Sequence, residues 1–147
     1  MEAILFDTDV FSYLMKGDTR AAVYSPHIKG KTVALSFISI GELYAWAVIR
    51  NWNEKRVADL EQRLKALVVI PYDQELCREF GRVKASLPKG RAVPSNDLWI
   101  ATCAIRHSIP LLTHNRKHFQ DIPRLVFVDV PGAGAPPQPK PGQLFPP

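Results

Sequence analysis

Three acidic residues stand in three separate and otherwise apolar stretches: Asp7 after AILF, Glu42 after SFISIG, and Asp97 before LWIATCAI. A carboxylate beside a strongly apolar run carries a desolvation penalty unless something neutralises it. This constrains the fold, which has to bury the apolar runs without stranding the acids. Where several such carboxylates converge at strand ends, a hard divalent cation is the natural partner. Phosphodiester cleavage by metal-activated water is then the leading chemistry.

The segments between these acids alternate in character. EAILFDTDVF opens on a β-prone run ending at Asp7, and VFSYLMKG reads as a short helix stopped near Gly17. Residues 19–29 give a second short helical stretch with Pro26 at its boundary. KTVALSFIS reads as a buried strand, and a helix from Ile40 to Asn51 would place Glu42 in its first turn. NEKRVADLEQRLKAL spaces Val57, Leu60, Leu64 and Leu67 along one helical face. VVIPY is a third strand, followed by a helix over DQELCREFGRVKASL. SNDLWIATCAIRHS is the next helix, with Ser95 or Asn96 as N-cap and Asp97 in the first turn. PLLTH and LVFVDV complete the strands. Strands alternating with helices predict an α/β fold, a parallel sheet covered by helices whose site forms at the carboxyl ends of its strands.

With 147 residues, 46% hydrophobic and 22% charged, the chain suits one globular domain. No apolar run reaches the length of a membrane span, and MEAILFDTD lacks the basic start of a secretory signal, so a cytoplasmic protein is expected. Cys77 and Cys103 form no CxxC pair and read as buried, reduced thiols. A net charge of +5 suits a polyanionic partner without requiring one. Residues 131–147 hold seven of the 13 prolines and three of the eight glycines, a composition that builds no packed element, so they read as a flexible tail after a domain at 1–130.

Asp7-Thr8-Asp9 after a strand suits two chemistries. One is a metal site with Asp7 as ligand and Thr8 or Asp9 orienting it. The other is a phosphotransferase with Asp7 as nucleophile and Asp9 as acid/base, as in haloacid-dehalogenase-like phosphatases. That pattern continues with Gly and Thr, whereas Val10-Phe11 follow here. In a purely structural role Asp9 caps the following helix, and that is the reading taken for it. His114 and His118 have zinc-like spacing, but LLTH reads as strand and no third ligand is evident. Lys89 and Arg91 before Asp97, with Arg116 and Lys117 beside Asn115, are the candidate contacts to a polyanionic partner because they flank the acids. Tyr44, Trp46 and Trp52 read as core or partner groove.

ILFDTDVFSYLMKG, SFISIGELYAWA and NDLWIATCAIRHSIPLLTHNRKHF together resemble the motifs of PIN-domain ribonucleases, specifically the VapC-type toxins of bacterial toxin–antitoxin pairs, in order and context from about residue 3 to 130. The resemblance implies a three-layer α/β/α fold with a mostly parallel central sheet. It implies a Mg²⁺- or Mn²⁺-dependent endoribonuclease, a homodimer held inactive by a VapB-type antitoxin. It places Asp7, Glu42 and Asp97 as the catalytic and metal-binding acids, with Thr8, Thr113 and Asn115 lining the site. His118 stands where relatives often carry a further acid, and Asp9 where they carry asparagine. A PIN-like module that binds RNA or a partner without cleaving is the alternative. Because the tail offers little apolar surface to bury, deleting residues 132–147 is expected to leave the melting temperature and RNA cleavage nearly unchanged, as thermal melts and cleavage assays on the truncated protein will check.

Overall fold

Strand β1 (Ala3–Phe6) buries Ile4, Leu5 and Phe6 in succession, as a strand covered on both faces does. The computed structural model describes residues 2–131, so the Pro-rich segment over residues 132–147 lies outside the described residues. After β1 come α1 (Thr8–Lys16), a 3₁₀ turn (Thr19–Val23), α2 (Ser25–Ile28), β2 (Thr32–Ser36), α3 (Phe37–Ile49) and α4 (Glu54–Leu64). Then follow β3 (Val68–Ile70), α5 (Gln74–Ala85), α6 (Ser95–His107), β4 (Leu111–Leu112) and α7 (Arg116–Phe119).

The sheet has four parallel strands in the order β3-β2-β1-β4. Leu5 lies beside Ala34 and Leu111, and Phe6 beside Leu35 and Leu112. Because successive side chains point to opposite faces, this register sorts the core into two layers. Leu5, Ala34, Ile70 and Leu111 pack with Leu76 and Val83 of α5 and with Leu98 and Ala101 of α6. Ile4, Phe6, Leu35 and Leu112 pack with Val10 and Phe11 of α1, Leu43 of α3 and Leu60 of α4. The result is the expected three-layer α/β/α arrangement. The chain adds β2 and β3 on one side of β1 and β4 on the other. The β1–β4 junction is therefore the topological switch point, where open parallel sheets bind ligands beyond their carboxyl ends.

Several boundaries differ from the sequence reading. β2 stops at Ser36 because the Ser36 side chain turns back to accept from the Ser39 N–H at 3.2 Å, so Phe37 is already helical. Glu42 consequently lies beyond the first turn of α3 and not within it, too far along the helix for the positive end of its dipole to support the carboxylate. The N-cap of α6 is Pro94; Ser95 and Asn96 are its first helical residues, with Asp97 in the first turn as expected. LVFVDV forms no strand: Phe127 makes a single bridge to Leu111, whose N–H donates to the Val126 carbonyl at 2.8 Å. The β4 ladder is two residues long, which leaves nothing for a longer partner to pair with. Gly17 does end α1, in the left-handed region at φ 66° that glycine favours.

Both cysteines are free, but Cys77 is exposed on α5 while Cys103 is buried in α6, so only one of the two matches the buried expectation. Trp46 and Trp52 pack against the α1/α3/α4 core. Among the described residues no helix is long and apolar enough to cross a membrane. Leu5 is fully buried at the middle of the sheet, so Leu5→Ala is expected to cost about 2–5 kcal/mol of unfolding free energy. Cys77→Ser on the exposed face is expected to stay within about 0.5 kcal/mol. Urea unfolding of both variants checks the pair.

Candidate active site

Asp7 follows β1 directly and turns the chain into α1. Its Oδ1 accepts from the Val10 N–H at 2.9 Å, which makes Asp7 itself the N-cap of the helix. The capping role read for Asp9 therefore belongs to Asp7, and Asp9 in the first turn faces the cleft instead. The second oxygen of Asp7 accepts from the Thr113 hydroxyl, which stands just past β4 across the switch point. Asp7, Thr8, Asp9, Glu42, Asp97, Asn115 and His118 line one cleft of about 160 Å³. The fold thus brings together all three acids singled out in the sequence and adds a fourth, Asp9.

Two hydrogen-bonded chains hold these acids. On one wall, Thr8 Oγ1 lies 2.6 Å from Glu42 Oε1 and 2.8 Å from Ser39 Oγ. A carboxylate only accepts, so the Thr8 hydroxyl donates to Glu42 and the Ser39 hydroxyl donates to Thr8. On the other wall, the Asn115 N–H donates to Thr113 Oγ1 at 3.0 Å, and the Thr113 hydroxyl donates in turn to Asp7. The Asn115 amide nitrogen also donates to Asp9 Oδ2 at 2.9 Å. An amide suits position 115 because an acid there would face Asp9 with no proton to give. Ser39 escaped the sequence reading because an apolar SFIS run resembles strand and gives no sign that a hydroxyl will face Thr8 thirty-one residues away.

The electrostatics are those of acids held close together. Burial pushes the Asp7 carboxyl up to about 7; the Thr113 and Val10 hydrogen bonds pull against this, while Asp9 and Asp97 add to it. Asp97 is likewise raised, chiefly by burial and by Glu42, with His118 opposing; the His118 ring nitrogen lies 3.3 Å from Asp97 Oδ2. A hard divalent cation fits this donor set of carboxylate oxygens, since it would offset both the burial and the mutual repulsion. Among the described residues no three His, Cys, Asp or Glu side chains stand close enough together to hold an ion. The acids instead line an open cleft, which suits Mg²⁺ or Mn²⁺ bound through one or two carboxylates with water completing the shell.

The flanking residues divide. Arg91 is tied down, its guanidinium pairing with Asp121 at 3.1 Å and donating to the Lys117 carbonyl at 2.6 Å. Arg116 lies 4.8 Å from the centre of the Phe127 ring. Lys89 and Lys117 are exposed, so they are the freer pair of the four candidate RNA contacts. His114 stacks edge-on against Tyr13 and accepts or donates to Tyr24 Oη at 2.5 Å, away from His118, which removes the zinc-like pairing.

Between about pH 4 and pH 7 the folded protein retains on Asp7 a proton that the unfolded chain releases, so the metal-free protein loses stability as pH rises through that window and is level above it. The loss amounts to a few kcal/mol, on the order of 1.4 per pH unit. Asparagine caps helices about as well as aspartate. Asp7→Asn is therefore expected to melt at or above the wild type at pH 8 and to flatten the pH dependence, whereas Asp7→Ala loses the cap and melts lower. Thermal melts in chelator across pH 4–8 check all three.

Known proteins place this geometry in a family. The sequence matches the PIN domain over residues 4–125. Ribonuclease VapC1 of Haemophilus influenzae (strain R2866) is 31% identical over 128 residues, covering 85% of this chain and 96% of that protein. Among solved structures, VapBC2 from Rickettsia felis, bound to a DNA fragment from its promoter, superposes with a TM-score of 0.76 at 26% identity, over 86% of this chain and 97% of that one. VapBC-1 from nontypeable Haemophilus influenzae gives a TM-score of 0.74 at 29% identity over the same shares. With the domain match spanning most of its length and these likenesses covering its β/α core, the chain belongs to the PIN-domain family and to its VapC branch.

Proposed function

We propose that this protein is a Mg²⁺- or Mn²⁺-dependent endoribonuclease acting as the toxin of a type II toxin–antitoxin pair, working as a homodimer that a VapB-type antitoxin holds inactive. The observation that carries the reading is the convergence of Asp7, Asp9, Glu42 and Asp97 on one cleft at the switch point of the sheet. Relatives named ribonuclease VapC and neighbours crystallised as VapBC complexes support the same assignment.

In this reading Asp7, Glu42 and Asp97 would hold the ion, one or two of them directly and the rest through its water shell. When bound, Mg²⁺ or Mn²⁺ supplies a Lewis acid that lowers the pKa of water and offsets charge growing on the scissile phosphate. The remaining work falls to the chain. Thr113 and the Val10 N–H hold both oxygens of Asp7 and so set its orientation. The Thr8 hydroxyl keeps one oxygen of Glu42 engaged and leaves the other to the cleft. Asn115 fixes Asp9 at the rim. His118 stands against Asp97, where its imidazole can donate to that carboxylate or to a phosphate oxygen. Exposed Lys89 and Lys117 meet the RNA backbone. The phosphatase alternative is disfavoured because Val10-Phe11 follow the Asp-Thr-Asp run where that pattern continues with Gly and Thr.

Cleavage of RNA is expected to stop in excess EDTA and return with added Mg²⁺ or Mn²⁺. Asp97→Asn is expected to lower kcat by at least about a hundredfold, beyond the loss typical of residues that only orient a ligand. A gel assay on the purified protein reads both. Tight RNA binding with no cleavage under any metal would instead favour a module that binds without cutting.

A further inference from the structure

Where the C-terminal ends of α1 and α3 meet the start of α4, a second cavity of about 470 Å³ is lined by Met15, Lys16, Arg50, Trp52, Arg56 and Asp59. Three of these residues are cations. The one carboxylate, Asp59, is already paired with Arg63 at 3.0 Å. No ion pair among the described residues involves Lys16, Arg50 or Arg56. Aromatic faces hold two of them in place: the Arg56 guanidinium lies 3.9 Å from the centre of the Trp52 ring, and Arg50 lies 4.8 Å from that of Trp46. The Trp52 indole N–H is buried and has no acceptor.

Basic residues at helix C-termini ordinarily complement the dipole. That accounts for Lys16 in the last turn of α1 and for Arg50 as the C-cap of α3. It does not account for Arg56, which stands at the positive end of α4, nor for the orphaned indole N–H. The arrangement is also electrostatically crowded: burial, then Arg50 and Arg56, hold the Lys16 ammonium below its usual range. Three cations thus share one cavity whose single carboxylate is paired elsewhere, and no anion among the described residues is paired with them. Guanidinium and ammonium groups are the donors that phosphate oxygens take.

The cavity lies along the same helix pair as the acid cleft. Thr8, at the start of α1, is bonded to Glu42 of α3, while Lys16, at its end, shares the cavity with Arg50. Eight residue steps separate Thr8 from Lys16, about 12 Å along the helix. A single strand of RNA spans that distance in a few nucleotides. A cleft with four carboxylates repels the polyanion it is to cut, so cationic purchase has to come from outside it. We infer that the Lys16–Arg50–Arg56 cavity is a second phosphate site, which takes a backbone phosphate of the single-stranded RNA whose scissile bond lies in the cleft. The inference rests on the ribonuclease reading.

The test uses the full chain carrying Asp97→Asn, which leaves RNA intact, and a labelled single-stranded RNA of mixed sequence titrated over a series of salt concentrations. Lys16→Gln and Arg56→Gln are each expected to weaken binding several-fold. The double variant is expected to lower the slope of log Kd against log salt by about 0.7, one phosphate contact. Arg78→Gln on α5, which is paired with Glu75 and lies outside the cavity, is expected to change neither. Lys16→Gln removes a crowded, exposed charge and is expected to melt no lower than its parent, so it carries the test even if Arg56→Gln loses too much stacking to fold. An unchanged affinity in Lys16→Gln, with the parent binding RNA, overturns the inference and leaves the ribonuclease reading standing. A parent that binds no RNA overturns both. Loss of binding to a polyglutamate peptide with RNA binding intact would assign the cavity to an acidic protein segment and overturn the inference alone.

Discussion

The burial of one carboxylate at the end of the central strand governs this structure. Asp7 is buried, beside other acids, at a point where the sheet reverses its strand order. Such a group is tolerated because each of its oxygens has a donor, the Val10 N–H on one and the Thr113 hydroxyl on the other. The first bond starts α1 and the second ties β1 to the loop after β4. Removing either partner would leave a buried acceptor unsatisfied, at a cost of about 1–3 kcal/mol. The carboxylate whose burial is costly thus also ties β1 and α1 to the loop after β4.

The second wall answers the same problem differently. Glu42 is only half buried and has no helix terminus to support it, so a side-chain hydroxyl does that work. Ser36, Ser39 and Thr8 are all fully or nearly fully buried, and each finds its partner within the group. Small hydroxyl residues suit this place because they bring a donor without the bulk that would push α1 away from α3. Asp7 and Glu42 are therefore positioned by neutral hydrogen-bond donors, which bring no opposing charge to the cleft.

What could be read from the sequence follows what is local. β1, β3 and α5 were legible because their apolar spacing and capping residues lie within the segment itself, as with Asp73, whose side chain accepts from the Leu76 N–H at 2.6 Å. The three acids were legible because a charge inside an apolar run is conspicuous wherever the chain folds. The start of α3 was not, since Phe37-Ile38 satisfy strand and helix equally and only the Ser36 side chain decides. Asp9 was misjudged because either aspartate of an Asp-Thr-Asp run can cap, and the choice depends on Asn115 arriving from 106 positions away. Arg91 and Arg116 read as free cations for the same reason: Asp121 and Phe127, which occupy them, become neighbours only in three dimensions.

The joints between strands and helices have a mechanical consequence. One residue separates β1 from α1, and none separates β2 from α3. Joints that short have almost no torsional freedom to spend, so the acids they carry move with the sheet as one body. The third acid rides on α6, whose inward side chains are fully packed. A cleft built this way has little give of its own, so the positions of its acids are set by the sheet rather than by the side chains around them.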